Sequence, residues 1–408
     1  MKIGIRIGLI LCFFVILMGL VSVSSIQTVA PETSMSKIVK KSNAVTPTVQ
    51  ETTRPSEPVT EKIESSFSEK QIKNVDKIVT SELENIEFNG TFLVAVGDQV
   101  IYHKAMGYSD VKKEKKNTLN TKYEIGSCSK QFTATAIAKL VQQKKISLTD
   151  KVTNYIEDAK IAKNITIEHL VNMCSGLPDY LNEYIYAVEC GERDEDSILS
   201  KNEFMNWLNK QETNFEPGEY FAYSNTNYYL LGLIIEDVTG KTYEEYIEQE
   251  IFYPLYMDDS SLNMDDTDCE GYLDSEWTEG IKIDSTYFYS AGEIVSTTSD
   301  MLKWLNAYSR GKVLNSEMLK KATHTGSDGF NYGFGWFIGD DYYYHTGNTE
   351  LYYSIDVITR EDDIKIIGLS NVNNTELQPT GLAILRAVED EIFPDKYIQA
   401  TETTEQTE

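Results

Sequence analysis

The segment Tyr123–Gln143, YEIGSCSKQFTATAIAKLVQQ, joins a short apolar stretch to a helix whose apolar residues recur at helical spacing. Residues three apart share a helix face, so the Lys130 amine can reach the Ser127 hydroxyl and activate it. The first turn of a helix also has free backbone N–H groups, which favour negative charge. The segment therefore predicts a serine nucleophile at the start of a buried helix.

The S-x-x-K spacing is weak by itself, because it occurs four times, beginning at Ser34, Ser109, Ser127 and Ser309. Ser34 lies in the polar spacer, Ser109 in an exposed, Lys-rich turn and Ser309 at a helix end. Only Ser127 connects a strand-like segment to a buried helix. The alternative for Ser127 is a helix N-cap serine beside a solvent-facing lysine.

A second candidate is Tyr223-Ser224-Asn225, in FEPGEYFAYSNTNYYLLGLIIEDVTGK, where a Pro-Gly turn leads through a loop into an apolar helix. A tyrosine has an ordinary pKa of about 10, so service as a base needs a cation that lowers it, and Lys130 is the candidate. Asn225 has both a donor and an acceptor and suits a substrate amide. Tyr180-Leu181-Asn182 is a competing Y-x-N. For either tyrosine, a role in packing or at the surface is the alternative.

A third candidate is His345-Thr346-Gly347, inside the strand-like sequence YYYHTGNTELYYSIDVI. It supplies a cationic or hydrogen-bonding side chain, a hydroxyl group and a backbone that a substrate can approach closely. The same triplet at His324-Thr325-Gly326 follows a helix end, which is typical of a C-cap turn. We therefore prefer His345.

The remaining chain predicts an α/β (α+β) fold with one mixed, mainly antiparallel sheet. Apolar residues at helical spacing from Phe67 to Ile86 predict a first helix. Two strands, TFLVAV and QVIYHKAM, follow and are joined by a Gly97-Asp98 turn with glycine at its first position. Further strands lie near the end, before a last helix at Leu382–Ile392. The N- and C-terminal helices flank the sheet, and the middle of the chain forms a second, mainly helical subdomain.

The two ends of the chain differ in sequence from the predicted globular part. Lys2 and Arg6 precede an apolar run from Ile7 to Val23, which predicts export, with the remainder anchored at the outer face of the membrane or secreted. The predicted divisions are a signal peptide or N-terminal membrane anchor at 1–25, a flexible spacer at 26–65, a globular domain at 66–397 and a polar acidic tail at 398–408.

Composition excludes several function classes. The chain has 64 acidic and 37 basic residues, and a net charge of −27 argues against binding nucleic acid. Four histidines and the lack of C-x-x-C and H-E-x-x-H spacings predict no metal site and no cofactor. The run Asp266-x-Asp268-x-Glu270-Gly271 begins like a calcium loop, but Trp277 occupies the twelfth position, where a glutamate is needed.

The ordered combination S-x-x-K, Y-x-N and H-T-G resembles the serine β-lactamase and penicillin-binding protein superfamily. Its tyrosine form is similar to class C β-lactamases and to the related D-alanyl-D-alanine carboxypeptidases and esterases. The resemblance extends from about Phe88 to Asn371 and implies a β-lactamase/transpeptidase-like fold. Where many relatives have glycine, this chain has Asn348 and Leu351, and the bulky pair Tyr352-Tyr353 follows. The shape of the substrate rim therefore does not follow from the resemblance.

The resemblance also implies roles for individual residues. Ser127 is the acylated nucleophile, Lys130 its activating partner and Tyr223 the proton shuttle to the leaving group. The implied substrate-binding residues are Asn225, His345, Thr346, Gly347 and Asn348. Within this set, His345 and Thr346 meet a substrate carboxylate. The backbone N–H groups of Ser127 and Asn348 form the oxyanion hole.

We therefore expect a serine hydrolase that works through an acyl-enzyme on D-alanyl cell-wall peptides or β-lactams, the latter as substrates or inhibitors. An esterase or amidase of small molecules is the alternative on the same fold. A tethered binding or regulatory protein without catalysis is the alternative of another class. The intact set Ser127, Lys130, Tyr223 and His345 argues against it.

Overall fold

The computed structural model describes residues 67–194, 197–324 and 329–394. The segments predicted at 1–25, 26–65 and 398–408 lie outside these residues, as do Thr325 and Gly326 of the second H-T-G triplet. Within the described ranges, no helix combines the length and apolar character needed to cross a bilayer.

The described part of the chain contains eleven strands. They are β1 (Gly90–Val96), β2 (Gln99–Met106), β3 (Tyr108–Asp110), β4 (Lys115–Lys116), β5 (Tyr123–Glu124), β6 (Val295–Ser296), β7 (Tyr332–Gly333), β8 (Trp336–Ile338), β9 (Tyr342–Asn348), β10 (Tyr353–Thr359) and β11 (Ile364–Ser370). Seven of them form one sheet in the order β2-β1-β11-β10-β9-β8-β7. All its pairings are antiparallel. The sheet thus joins strands from both ends of the domain, as predicted.

Helices are the main regular secondary structure between β5 and β7. The α-helices are α1 (Glu69–Asn85), α2 (Lys130–Gln142), α3 (Ile167–Val171), α4 (Tyr180–Glu189), α5 (Lys201–Leu208), α6 (Asn225–Thr239), α7 (Tyr243–Ile247), α8 (Tyr253–Leu255), α9 (Ser285–Phe288), α10 (Thr298–Ser309), α11 (Ser316–Thr323) and α12 (Leu377–Ile392). The first and last helices begin at Glu69 and Leu377, close to the predicted positions. The predicted helical middle is confirmed.

Helices α1 and α12 cover one face of the sheet. Val79 and Leu83 of α1 and Ile384 of α12 are buried in the same apolar cluster as Phe92 and Ile355 of the sheet. Val79 and Leu83 are four residues apart, which is the spacing of one helix face. The opposite face of the sheet packs against the helical region through a second, larger apolar cluster that includes α2 and α6.

Two short features set the position of the site. The β1–β2 hairpin turns at Gly97, whose φ of 60° suits glycine, as predicted. On the helical face, β5 pairs with β6, and the N–H of Ile125 donates to the carbonyl of Ile294 at 2.9 Å. This pairing brings the segment before β6 against the turn that follows β5.

Candidate active site

Ser127 lies in a 3-10 turn, Gly126–Ser129, that leads directly into α2. Nζ of Lys130, the first residue of α2, lies 2.8 Å from Oγ of Ser127. The predicted contact is therefore present. The alternative of a solvent-facing lysine is wrong, because Lys130 is 0% exposed.

The Lys130 amine has three acceptors around it. Besides Ser127 Oγ, it lies 2.8 Å from Oδ1 of Asn225 and 2.7 Å from the carbonyl oxygen of Ala291. Burial disfavours the charged form and lowers the pKa of Lys130 to about 7, although the negative charge of Asp179 opposes this. A substantial fraction of the amine is therefore neutral at physiological pH and able to accept a proton.

Tyr223 lies beside the same amine, with the ring centroid 5.1 Å from Lys130 Nζ. Its hydroxyl lies close enough to the Ser127 side chain for that group to lower the pKa of the phenol. The ring is stacked on Phe337, with centroids 6.1 Å apart, and meets Tyr332 edge-on. The structure thus brings Tyr223 to the nucleophile.

The expected low pKa of Tyr223 is wrong. Burial holds the pKa of this phenol well above its usual range, and the nearby Ser127 side chain offsets only part of the rise. Lys130 does not supply the expected fixed positive charge, because its own pKa is about 7. Tyr223 is therefore a protonated hydrogen-bond donor at neutral pH.

Asn225 begins α6 and is fixed at both ends of its amide. Its Oδ1 accepts from Lys130, and its Nδ2 donates to both carboxylate oxygens of Asp179, at 3.2 and 2.9 Å. The side chain is 6% exposed. In this structure Asn225 therefore acts as a hydrogen-bond acceptor for the Lys130 amine.

His345 lies on β9 and faces the helical side of the sheet, as does Asp356, its partner in register. Its Nδ1 is 2.6 Å from the carbonyl oxygen of Thr346, so Nδ1 carries the proton. Nε2 is then the acceptor for the Tyr332 hydroxyl at 3.2 Å. The imidazole is a neutral part of the wall beside Tyr223, with ring centroids 6.1 Å apart.

The expectation that His345 is partly charged near pH 7 is wrong. Its side chain is buried, and burial lowers the pKa to about 3, with the Lys130 charge acting in the same direction. A neutral imidazole cannot form an ion pair with a substrate carboxylate. Sequence reasoning used the ordinary pKa of histidine and could not see this burial.

Thr346 and Gly347 follow the alternation of the strand. Thr346 pairs in register with Ile355, which is buried in the apolar cluster on the α12 side of the sheet. The predicted contact of Thr346 with a substrate is therefore not supported by its side-chain direction. Gly347 faces the 3-10 turn, where a Cβ would lie 1.9 Å from the carbonyl oxygen of Ile125. The close neighbour of the Gly347 backbone is thus the segment before Ser127, and the predicted approach of a substrate to Gly347 stays a prediction.

Asn348 ends β9 beside the nucleophile turn. A Cβ on Gly126 would lie only 2.7 Å from the backbone nitrogen of Asn348, so this nitrogen is adjacent to Gly126, the residue before Ser127. The Asn348 side chain is exposed and accepts from the N–H of Glu350 at 2.7 Å. The two backbone donors predicted for an oxyanion hole thus come from neighbouring segments.

The competing motifs lie elsewhere. Tyr180 is fully buried in α4 and donates to the carbonyl of Tyr287 at 2.6 Å. His324 caps the end of α11, as predicted, and Ser309 ends α10. Ser109 is buried in β3, with its hydroxyl directed to the carbonyls of Lys115 and Lys116, so the predicted exposure of this position is wrong.

Two of the bulky residues that follow β9 lie inside the protein. Leu351 and Tyr352 are buried, and the Tyr352 hydroxyl donates to the carbonyl of Cys269 at 2.6 Å. Their side chains therefore stabilise the loop after β9 from inside. Cys128, next to Ser127, is also buried, with Sγ 3.2 Å from Oγ of Ser354.

Sequence reasoning missed several groups that contact the predicted residues, among them Asp179, Ala291 and Tyr332. Asp179 follows Pro178 and is the N-cap of α4, so an Asp at a helix start was the available signal. Ala291 contributes only a carbonyl oxygen, which no side-chain motif reveals. In the described ranges, no cluster of histidine, cysteine or acidic side chains is arranged to hold a metal ion.

The site combines a buried amine in contact with a serine hydroxyl, a protonated phenol beside both groups, and two backbone donors. This arrangement is suited to acyl transfer. Fold and site together define a protein of the serine β-lactamase and penicillin-binding protein superfamily. The chain belongs to the β-lactamase family, whose model matches residues 75–389. The resemblance drawn from the motifs is thereby confirmed.

Three comparisons illustrate the relationship. Protein flp of Staphylococcus aureus (strain N315) is 30% identical over 326 residues, which cover 74% of this chain and 63% of that protein. Penicillin-binding protein 4* of Bacillus subtilis (strain 168) is 27% identical over 77% of this chain and 74% of its own. The octameric penicillin-binding protein homologue of Pyrococcus abyssi superimposes with a TM-score of 0.66 at 28% identity, covering 79% of both chains.

Proposed function

We propose that the protein is a serine hydrolase that forms an acyl-enzyme on Ser127. The observation that carries this proposal is the 2.8 Å contact between Ser127 Oγ and the buried amine of Lys130. A lysine with a pKa of about 7 is half neutral at that pH and can act as a general base, whereas an ordinary lysine cannot.

The contacts support a complete proton cycle. Neutral Lys130 takes the hydroxyl proton while Ser127 Oγ attacks the substrate carbonyl, and the N–H groups of Ser127 and Asn348 bind the oxyanion. Protonated Tyr223 gives its proton to the leaving group and recovers one from Lys130. The amine is then neutral again. Water attacks the Ser127 ester in a second step, which releases the acid and restores the hydroxyl.

The proposed substrates are D-alanyl cell-wall peptides or β-lactams. The kinship with a Bacillus penicillin-binding protein over most of both chains supports this class. A penicillin that acylates Ser127 is a substrate or an inhibitor according to the rate of the second step, because both outcomes use the same acylation groups.

A second candidate is hydrolysis of small, uncharged esters or amides. The neutral state of His345 favours it, since this wall offers no cation for the terminal carboxylate of a peptide. The two candidates share the chemistry at Ser127 and differ only in what the wall that contains His345 recognises.

The proposed location is outside the cell, at the membrane surface or secreted. The support is the sequence alone: Lys2 and Arg6 precede the apolar run from Ile7 to Val23. The charge of −27 is consistent with a partner that is a small molecule or a cell-wall peptide rather than nucleic acid.

Intact-mass measurement after incubation with penicillin tests the proposal. We expect one adduct on the wild-type chain and none on Ser127→Ala. Ser309→Ala is the matched control, because Ser309 begins another S-x-x-K and should keep the adduct. A label that survives in Ser127→Ala would refute the assignment. The persistence of the wild-type adduct shows how fast the second step is.

A further inference from the structure

To take the Ser127 proton, Lys130 must point its lone pair at the Ser127 hydroxyl. The catalytic residues do not fix this direction by themselves. A neutral amine has two N–H groups and one lone pair, and three oxygens surround Nζ of Lys130. The Ala291 carbonyl can only accept. The lone pair points at the Ser127 hydroxyl only if the third group, the amide of Asn225, also presents an acceptor.

Asn225 can satisfy this requirement in one orientation only. With Oδ1 toward the amine, both N–H groups of Lys130 have acceptors, and the lone pair remains for the Ser127 proton. With Nδ2 toward the amine, the amide would donate to the lone pair, and Ser127 would have to accept an N–H. In that state the serine could not give up its proton to Lys130.

Asp179 determines which orientation is present. An ionised carboxylate only accepts hydrogen bonds, and both carboxylate oxygens of Asp179 accept from Nδ2 of Asn225, at 3.2 and 2.9 Å. The carboxylate is itself fixed as the N-cap of α4 by the N–H of Leu181 at 3.0 Å. A flipped Asn225 would place its own oxygen against two carboxylate oxygens, which is unfavourable.

The backbone beside Asp179 is tied to the residues on either side of Asn225. The carbonyl oxygen of Pro178 accepts from Ser224 Oγ at 3.1 Å and from Thr226 Oγ1 at 2.6 Å. The starts of α4 and α6 are therefore held together on both sides of the Asp179–Asn225 contact. This arrangement leaves the carboxylate little freedom to move away from the amide.

We propose that Asp179 is a positioning residue, which fixes the amide of Asn225 and thereby directs the lone pair of Lys130 at Ser127. The inference rests on the proposed acyl-enzyme function. It assigns to Asp179 no contact with the substrate. Its effect on acylation passes through Asn225 and Lys130.

The effect of the Asp179 charge on Lys130 can be separated from the effects of the other titratable groups around the amine. The titratable groups facing its amine are Asp179, Cys128, Tyr223, Tyr228 and His345. Burial keeps the thiol and both phenols protonated and the imidazole neutral. Asp179 is the carboxyl group among them, and its charge raises the pKa of Lys130 against the effect of burial.

Asp179→Asn in the full-length chain is the direct test. Asparagine is an equally good N-cap, but if its Oδ1 keeps the Leu181 N–H, its amide nitrogen meets Asn225 Nδ2. We expect penicillin to acylate this variant at least tenfold more slowly. Asp179→Ser also keeps the cap and is the second variant, with the same expected loss. Asp284→Asn changes the N-cap of α9, whose carboxylate accepts from Thr286 and not from Asn225, and should match the wild type.

Two further measurements separate positioning from a structural effect. Lysine labelled with ¹³C and assigned with Lys130→Met gives the pKa of Lys130, which should fall in Asp179→Asn because a negative charge is lost. Adding Asn225→Ala to Asp179→Asn should slow acylation much less than Asn225→Ala slows the wild type, because both changes interrupt one chain of contacts.

The outcomes distinguish this inference from the proposed function. Wild-type acylation rates and an unchanged Lys130 pKa in both Asp179 variants would overturn the positioning role while leaving the function intact. Penicillin and an activated ester could leave the wild type unlabelled while Asp179→Asn still lowers the Lys130 pKa. This result would refute the proposed function but support the electrostatic coupling between Asp179 and Lys130. An equal loss in Asp284→Asn would reduce the effect to helix capping and refute the inference.

Discussion

The carbonyl oxygen of Ala291 lies 2.7 Å from Nζ of Lys130, and this contact joins residues far apart in the chain. Ala291 ends a 3-10 turn, Tyr289–Ala291, shortly before β6. Because β6 pairs with β5, the turn is held against the start of α2. The amine is thus surrounded by acceptors while being removed from water, and these conditions set its proton affinity.

The first prediction concerns the pH dependence of acylation. The neutral amine is the active form, and burial lowers the pKa of Lys130 to about 7. The second-order rate constant for penicillin should therefore be constant above that pH and fall about tenfold for each pH unit well below it. Stopped-flow or quenched mass measurements between pH 5 and 9 check this profile.

Two variants control the pH experiment. Lys130→Arg keeps a positive charge but has no neutral form at these pH values, so it should acylate at least about 100-fold more slowly throughout. Lys139→Ala changes another lysine of α2, which pairs with Glu250 outside the site, and should keep the wild-type profile. A profile with no inflection between pH 5 and 9 would contradict the role of Lys130.

The second prediction concerns the protonation of Tyr223. Because burial raises the pKa of its phenol, the group should stay protonated up to at least about pH 10. Tyr223→Phe keeps the stacking on Phe337 but removes the donor, and should slow acylation about 100-fold. The tyrosinate absorbance of the wild type minus that of Tyr223→Phe should be zero at neutral pH. A difference there would restore the phenolate interpretation.

The sequence was sufficient for the fold class and for the pairing of Ser127 with Lys130, because both follow from local periodicity and spacing. It also ranked Tyr223 above Tyr180 correctly. The protonation states were wrong for Tyr223 and His345, since each depends on burial by segments distant in the chain. Asp179 was missed for a similar reason: its partner Asn225 lies on another helix, and neither residue signals the contact locally.

The third prediction separates the two substrate classes at His345. The imidazole has a pKa of about 3, so its charge does not change between pH 6 and 8. The ratio of kcat/KM for a D-alanyl-D-alanine peptide to that for an uncharged ester should stay constant in this range. A ratio that falls as pH rises would show that His345 is charged and binds the carboxylate. Brisk ester cleavage without peptide turnover would favour the esterase candidate.

The fourth prediction concerns the oxyanion hole and uses Gly126. This residue has a φ of 50°, and a Cβ there would lie 2.7 Å from the backbone nitrogen of Asn348. Gly126→Ala should therefore displace one oxyanion donor and slow acylation about 100-fold or more. Gly191 has a φ of 71° but open space around a Cβ, so Gly191→Ala is the matched control for backbone strain alone.

Both glycine variants should lose stability, by about 1 kcal/mol or more, because alanine is unfavourable at positive φ. Only Gly126→Ala should be acylated more slowly. The lower rate should remain after correction for the fraction of the protein that calorimetry shows to be folded. Acylation of folded Gly126→Ala at the wild-type rate would mean that the Asn348 N–H does not bind the oxyanion. The second donor would then have to come from a segment other than β9.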